Sequence, residues 1–168
     1  MGYGLAQDKE NTVLFSTTRT EARENLFKWV GPITPTRVSV VAKKDRNIKI
    51  SSFDDFAAYK IGAVREDIGE LLLKRNGVST DKIQKINSSK IAARMLVANR
   101  IDMWAYEESV AYWNLKDEGQ NLGDFEVVFV LEESDLYFAI QKDTDDTLVS
   151  RLQSALDSVR AADKMSGR

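Results

Sequence analysis

The stretch KIGAVREDIGELLLKRNG, residues 60–77, decides the fold class. Residues 60–64 have the length and composition of a buried strand, and residues 67–75 repeat apolar side chains at helical spacing. Asn76 and Gly77 then end the helix, because glycine takes the left-handed conformation at low cost. A strand that runs directly into a helix is the repeating unit of a parallel sheet covered by helices.

The same alternation continues on both sides of this stretch, with Ser52, Asp55 and Ser88 placed as helix caps. Strands are predicted at 37–42, 82–86, 101–105, 125–131 and 136–140, and helices at 52–57, 89–98, 107–115 and 144–161. Buried helix faces are predicted for two groups of apolar residues, Ile91, Met95 and Leu96 on one helix and Leu148, Leu152, Ala155, Leu156 and Val159 on the last. The pattern therefore predicts an α/β fold with a mainly parallel sheet.

Composition and charge exclude several classes of function. The 168 residues include 24 Lys and Arg against 26 Asp and Glu, with no basic stripe, so we expect no nucleic-acid partner. The chain has no cysteine and no histidine. Nucleophile systems that depend on histidine and the usual transition-metal sites are therefore excluded, and we expect no cofactor and no metal.

A first candidate site follows the apolar run 13–15. Ser16, Thr18 and Arg23 lie at a predicted turn from a strand into a helix, where backbone N–H groups are free to bind an anion. The Arg23 guanidinium offers a planar pair of donors to a carboxylate. The same residue types also make an ordinary helix cap followed by surface charges, so both interpretations stay open.

A second candidate site lies at the junction of the predicted strand 60–64 with its helix. Arg65, Ile68 and Gly69 follow the carboxyl end of the strand, which is where ligands bind in open α/β sheets. The glycines of a phosphate-binding or dinucleotide-binding loop are missing. We expect Arg65 and the helix N-terminus to contact an anion.

A third candidate site is the junction at residues 105–108. Tyr106 can supply an aromatic wall or a hydroxyl, and Glu107 can accept hydrogen bonds from a ligand ammonium. An acidic first helical turn is also favoured by the helix dipole without any ligand, and we prefer that interpretation for Glu108.

These three constellations, in this order, resemble family 3 of the bacterial solute-binding proteins, the polar amino-acid binders of ABC importers. Three segments carry the resemblance: residues 15–32, with Thr18, Arg23 and FKWVGP; residues 51–64; and RIDMWAYE at residues 100–107. The resemblance implies a type II periplasmic-binding-protein fold, in which two α/β lobes joined by two hinge strands close over a ligand. It also implies an extracytoplasmic location and an ABC permease as partner.

The resemblance further implies a division of the chain and a role for each candidate residue. Residues 1–38 would be a remnant of the first lobe, 39–134 a complete three-layer second lobe, and 135–168 the return strand and C-terminal helix. Ligand contacts would come from both lobes. Thr18 and Arg23 would hold the ligand α-carboxylate, Arg65 and the backbone near Gly69 would reach it from the other lobe, and Glu107 would take the α-ammonium. Further ligand-binding residues would be Ser16, Ile68 and Tyr106.

The chain also departs from the family pattern. We expect truncation before Asn11, where the family has further elements of its first lobe, and a shortened C-terminal helix. Residues 1–10 lack the pattern of a secretion signal. Apolar surfaces left open by such a loss predict self-association, including a domain-swapped dimer.

Two other functions stay open at this stage. One is an enzyme on the same scaffold, such as a dehydratase of prephenate-like acids, with Glu107 or Glu108 as general acid or base. The other is a ligand-sensing module of a receptor or regulator. The absence of a second catalytic partner makes binding of an amino acid or similar small zwitterion, without chemistry, the preferred function.

Overall fold

The computed structural model describes residues 2–165. The helices are α1 Gly2–Asp8, α2 Ile68–Arg75, α3 Ser89–Val97, α4 Glu108–Asp117 and α5 Asp146–Met165. The strands are β1 Val13–Thr18, β2 Phe27–Lys43, β3 Ile61–Val64, β4 Ile83–Ile86, β5 Met103–Glu107 and β6 Phe125–Gln141. Short 3₁₀ helices cover Glu21–Leu26, Lys44–Arg46, Phe53–Ala58 and Leu122–Asp124.

The chain forms two compact units. The first unit combines the residues up to Pro35 with those from Ser134 onward, and the second unit is Thr36–Glu133. Hydrogen bonding orders the six strands as β1-β6-β2-β5-β3-β4. The long strands β2 and β6, with 17 residues each, contribute to both units.

The second unit is a three-layer α/β structure built around the predicted parallel strands. Ile61 of β3 pairs in parallel with Ile83 of β4 and with Met103 of β5, while β2 pairs antiparallel with β5. Apolar clusters cover both faces of the sheet. One cluster contains Phe56 of the short helix Phe53–Ala58 and Leu73 of α2. The other cluster is formed by residues of α3 and α4, namely Ala92, Ala93, Leu96, Ala111 and Leu115.

The predicted capping residues and the glycine stop of this unit are confirmed, although the helix predicted at 107–115 runs to Asp117 and the segment predicted at 52–57 is a 3₁₀ helix. Ser52 and Asp55 form a reciprocal capping box, the Ser88 hydroxyl accepts from the Ile91 amide at 3.3 Å, and Gly77 follows α2 with φ +82°. The buried face predicted for α3 is only partly present. Leu96 is buried, but Ile91 is 44% exposed, because helical periodicity locates an apolar stripe without showing how much of it a neighbour covers.

The first unit contains α1, β1, α5 and parts of the two long strands. β1 pairs antiparallel with β6, with a register shift between Leu14 and Thr17. Its small core contains Ala6, Phe27 and Ala139. Helix α1 was not predicted from the sequence.

Two predictions about the C-terminal part are wrong. Strands predicted at 125–131 and 136–140 form the single strand β6, since no glycine or proline interrupts residues 132–135. The apolar side of α5 is only partly covered: Leu148 and Val159 are 47% and 58% exposed, Leu152 and Leu156 are half-buried, and no described residue of α5 is fully buried. An amphipathic pattern predicts an apolar face, but burial of that face depends on what packs against it.

None of the helices among residues 2–165 combines the length and hydropathy of a membrane span.

Candidate functional site

Three strand-to-helix junctions meet at one edge of the second unit's sheet. The parallel strands β3, β4 and β5 end at Val64, Ile86 and Glu107 and lead into α2, α3 and α4. Helix N-termini carry unpaired N–H groups and a partial positive charge. This carboxyl edge of the sheet is therefore suited to bind an anion.

Arg65 lies at the first of these junctions. Its backbone N–H donates to the carbonyl of Ile86 at 2.9 Å, which fixes the start of the turn to β4. Its side chain is exposed, and among the described residues no hydrogen bond or ion pair engages its guanidinium. The structure thus leaves the predicted anion donor open to an incoming group.

The turn after Arg65 is held by Glu70, a residue that sequence reasoning missed. Its side chain is only 2% exposed, and one carboxylate oxygen accepts from the Glu66 amide at 2.7 Å. The other oxygen forms ion pairs with Lys74 and, at 3.4 Å, with Lys85 of β4. In the sequence, the spacing of four residues between Glu70 and Lys74 predicts an ion pair on a helix, but it does not predict that the Glu70 side chain is buried.

The charge state of Glu70 follows from these contacts. Burial alone would raise the pKa of its carboxyl group, but the hydrogen bonds from Lys74 and the Glu66 amide, with the charges of Lys74 and Lys85, outweigh burial and lower the pKa to about 2. Glu70 therefore carries its charge throughout the ordinary pH range.

This lowered pKa predicts how stability depends on pH. Because the folded-state pKa lies below the ordinary value of 4.5, the stabilisation from the Glu70 carboxylate is complete above about pH 4.5 and is lost as the pH falls toward 2. We expect Glu70→Gln to lower the free energy of unfolding most at pH 6, and the difference from the wild type to narrow steadily below pH 4.5.

Urea unfolding at a series of pH values measures this difference. Glu10→Gln is the matched control, since Glu10 is exposed and the same change of residue type there should alter the free energy of unfolding only slightly. A difference between wild type and Glu70→Gln that stayed constant from pH 6 to pH 3 would contradict the assigned charge of Glu70.

The other two predicted residues at this junction have different surroundings. Gly69 is buried, and a Cβ at this position would lie 2.4 Å from the carbonyl oxygen of Ala105 in β5. Glycine is therefore required for the close approach of α2 to the sheet. Ile68 begins α2 and is 39% exposed, so it offers an apolar contact at the same edge.

Tyr106 connects two of the helix N-termini. Its half-buried ring stacks on Trp104 with a centroid distance of 5.1 Å and an interplanar angle of 20°. Burial raises the pKa of the Tyr106 hydroxyl, and the charge of Asp67 raises it further, while a hydrogen bond with the Ser89 side chain has the opposite effect. The Tyr106 hydroxyl therefore lies next to the start of α3 and near Asp67.

Glu107 is the N-cap of α4. One of its carboxylate oxygens accepts from the Val110 amide at 2.8 Å, and the other accepts from the Thr36 hydroxyl at 3.1 Å. These bonds orient the carboxylate at the carboxyl edge of the sheet. Each oxygen still has a free lone pair, since a carboxylate accepts about four hydrogen bonds.

The Glu108 carboxylate is ion-paired with Arg37. The Arg37 guanidinium donates to both of its oxygens, at 2.6 and 2.5 Å, and the Ser39 hydroxyl donates at 2.6 Å. These hydrogen bonds lower the pKa of the Glu108 carboxyl group. Glu108 is therefore an ion-paired residue of the second unit as well as an acid in the first turn of α4.

The first unit brings together the remaining predicted residues. Ser16 has a left-handed backbone with φ +56° at the register shift in β1, and the Arg23 guanidinium donates to the Thr18 carbonyl at 3.2 Å. Arg19, which was not predicted, pairs with Glu24 and lies over the rings of Trp29 and Tyr137 at 5.9 and 5.6 Å. The Thr18 hydroxyl makes no described hydrogen bond.

The structure thus places Arg65, Ile68, Gly69, Tyr106 and Glu107 at one edge of the second unit, and Ser16, Thr18 and Arg23 in the first unit. Among the described residues, no group of three or more acidic side chains is arranged to hold a metal ion.

Many solved structures have the same fold, and three of them illustrate the kinds of protein in which it is found. A histidine kinase sensor domain with similarity to periplasmic binding proteins is 17% identical, with a TM-score of 0.73 over 99% of this chain and 71% of that one. A substrate-binding protein of an ABC uptake transporter from Streptococcus pneumoniae, with bound histidine, is 20% identical, with a TM-score of 0.72 over 99% and 69%. The P235GK mutant of ArgBP from T. maritima is 18% identical, with a TM-score of 0.71 over 97% and 69%. At these identities the likeness shows the fold, which is that of periplasmic binding proteins.

Sequence comparison identifies the family. No curated protein sequence is significantly similar to the chain. A family model described as NMT1/THI5 like matches residues 20–161, which is most of the chain. This match supports a periplasmic-binding-protein-like family without selecting family 3 of the solute-binding proteins. The chain belongs to the NMT1/THI5-like family.

Proposed function

We propose that this chain is a binding protein that captures an amino acid or a similar small zwitterion and performs no chemistry on it. The observation that carries the proposal is the exposed Arg65 guanidinium, which no described residue engages and which lies just before α2, beside two further helix N-termini. A planar guanidinium and free helical N–H groups together match the geometry of a carboxylate.

The neighbouring residues suit the rest of a small zwitterion. The Glu107 carboxylate is held in place by its two hydrogen bonds and keeps lone pairs for an ammonium group. Tyr106 offers an aromatic ring and Ile68 an exposed apolar side chain at the same edge. The second unit therefore offers complementary groups to a carboxylate, an ammonium and an apolar stem.

The finer parts of the proposal rest on the family resemblance. We assign Ser16, Thr18 and Arg23 of the first unit to ligand binding, residues 1–38, 39–134 and 135–168 to the three lobe segments, and the chain to an extracytoplasmic location with an ABC permease as partner. Several solved proteins of this fold support the ligand class, since they are described with bound histidine, arginine or glutamine. Self-association through uncovered apolar residues stays a prediction, which light scattering tests.

Replacement of Arg65 by alanine tests the proposal. We expect L-arginine, L-glutamine or L-histidine to raise the thermal unfolding midpoint of the wild type, because a ligand that binds only the native state stabilises it. Arg65→Ala should weaken the affinity measured by calorimetry at least about tenfold, since a charge-assisted pair is lost. The family resemblance predicts a comparable loss for Arg23→Ala.

Arg75→Ala is the matched control for Arg65→Ala. Arg75 is the last residue of α2, is exposed, and makes no described side-chain contact, so its replacement removes the same charge at the other end of the same helix. Equal affinities for the wild type and Arg65→Ala would refute the proposed site, whereas equal losses in both variants would indicate a general effect of charge.

The enzyme alternative receives little support from the two candidate acids. A general acid on this scaffold needs a carboxyl pKa raised toward neutrality. The pKa of Glu108 is instead lowered by Arg37 and Ser39, and Glu107 caps α4. One structural neighbour is described as an ancestral amino-acid-binding protein and a precursor of cyclohexadienyl dehydratase. A turnover assay with a cyclic carboxylic acid tests the enzyme alternative. The alternative of a ligand-sensing module is supported by the histidine kinase sensor domain that has the same fold.

A further inference from the structure

The turn that carries Arg65 contains an unfavourable backbone conformation. Glu66 has φ +60°, in the left-handed region, although it is not a glycine. A residue with a Cβ pays a free-energy cost in this region, and such conformations persist only where the surroundings impose them. Some contact must therefore hold Glu66 in place.

A backbone hydrogen bond from the Asp67 amide to the Val64 carbonyl, at 3.2 Å, closes this turn, and the side chain that holds it is the carboxylate of Glu70. It accepts from the Glu66 amide at 2.7 Å, while the N-cap residue Asp67 makes no side-chain cap bond of its own. Glu70 is in turn fixed by Lys74 on the same helix and by Lys85 on β4. One buried carboxylate thus ties together the turn, the helix and the neighbouring strand.

We propose that Glu70 is the positioning residue of the ligand site: it stabilises the left-handed conformation of Glu66 and so directs Arg65 and the N–H groups of α2 toward a ligand carboxylate. This inference rests on the proposed function. At 2% exposure the Glu70 side chain is not itself available to a ligand. Its effect on binding must therefore pass through the turn.

Three variants separate the role of Glu70 in the turn from a general role in stability. Glu70→Met removes both acceptor oxygens and keeps a side chain of similar length. Adding Glu66→Gly to this variant supplies a residue that adopts positive φ without a Cβ, so the turn no longer needs the Glu70 contact. Leu73→Ala is the matched control, because Leu73 is fully buried on the same helix and lies in a core cluster without Glu66.

Calorimetric titration with L-arginine, L-glutamine and L-histidine measures the affinity of each variant, at a temperature below the unfolding transition of every variant. For the amino acid that binds the wild type, we expect Glu70→Met to weaken the affinity about tenfold, as loss of a contact that maintains a left-handed residue implies. The double variant Glu70→Met with Glu66→Gly should recover most of that loss. Leu73→Ala should lower the thermal midpoint and leave the affinity unchanged.

Hydrogen exchange of the Glu66 amide gives a readout that needs no ligand. It should be slow in the wild type and in Leu73→Ala and faster in Glu70→Met, since only the last variant lacks the acceptor. Unchanged exchange in Glu70→Met would overturn the inference.

The binding results distinguish failure of the inference from failure of the proposed function. Wild-type affinity in Glu70→Met, together with weakened binding in Arg65→Ala, would overturn the role of Glu70 and leave the site in place. Wild-type affinity in Arg65→Ala, or no binding of any of the three amino acids to the wild type, would overturn the proposed function and with it this inference.

Discussion

Replacement of Phe56 by alanine is expected to lower the free energy of unfolding by about 4 kcal/mol, the range found when a large aromatic side chain is removed from a core. Phe56 is fully buried in the second unit. Its ring packs against Phe53 and Phe129 at centroid distances of 5.9 and 5.5 Å. Removing it deletes the centre of this aromatic cluster and leaves a cavity beneath the sheet.

Urea unfolding followed by circular dichroism measures the loss for Phe56→Ala. The control is Trp113→Ala on α4, because the Trp113 side chain is larger than that of Phe56 but 63% exposed, and its removal should change the free energy of unfolding by less than about 1 kcal/mol. A loss for Phe56→Ala no larger than for the control would contradict the position of Phe56 in the core.

Gly69→Ala should have the second large effect, a loss of about 3 kcal/mol, because the added methyl group meets backbone atoms that cannot rotate away. The new Cβ would lie 2.4 Å from the Ala105 carbonyl oxygen and 2.9 Å from its carbon. Relief requires α2 to move away from β5. That movement also displaces Arg65, so we expect weaker ligand binding as well as lower stability.

The control for Gly69→Ala is Gly4→Ala in α1. A Cβ at Gly4 meets nothing within 4 Å, so this variant should be neutral or slightly stabilising, as alanine is the better helix former. Thermal and urea unfolding compare the two variants. Equal stabilities would show that α2 does not approach β5 as closely as the structure indicates.

The local elements of the second unit were predictable because their signals lie within a few residues of one another. Strand composition, the caps at Ser52 and Ser88, and the stop at Gly77 all act over one turn of the chain. The single strand β6 was not predictable in this way. Its continuity through residues 132–135 depends on pairing with other strands, which local composition does not report.

The candidate site likewise contains residues whose position follows from local pattern and residues whose position depends on tertiary contacts. Arg65 and Glu107 were predictable because parallel strands place their carboxyl ends at one edge. Glu70 was not, since its burial depends on Lys85 from another strand and on the backbone of Glu66. Arg19 was missed for a related reason, because Tyr137 reaches it from a strand distant in sequence.

The sequence by itself determined the α/β class, the order of the strands and helices in the second unit, and the absence of histidine and cysteine chemistry. Only the tertiary structure decided that Thr36 donates to Glu107, that Arg37 engages Glu108, and that the apolar side of α5 is only partly covered. The physical reason is the range of the forces involved. Helix and strand propensities act between neighbours in the chain, whereas burial and ion pairing depend on which distant residues the fold brings together.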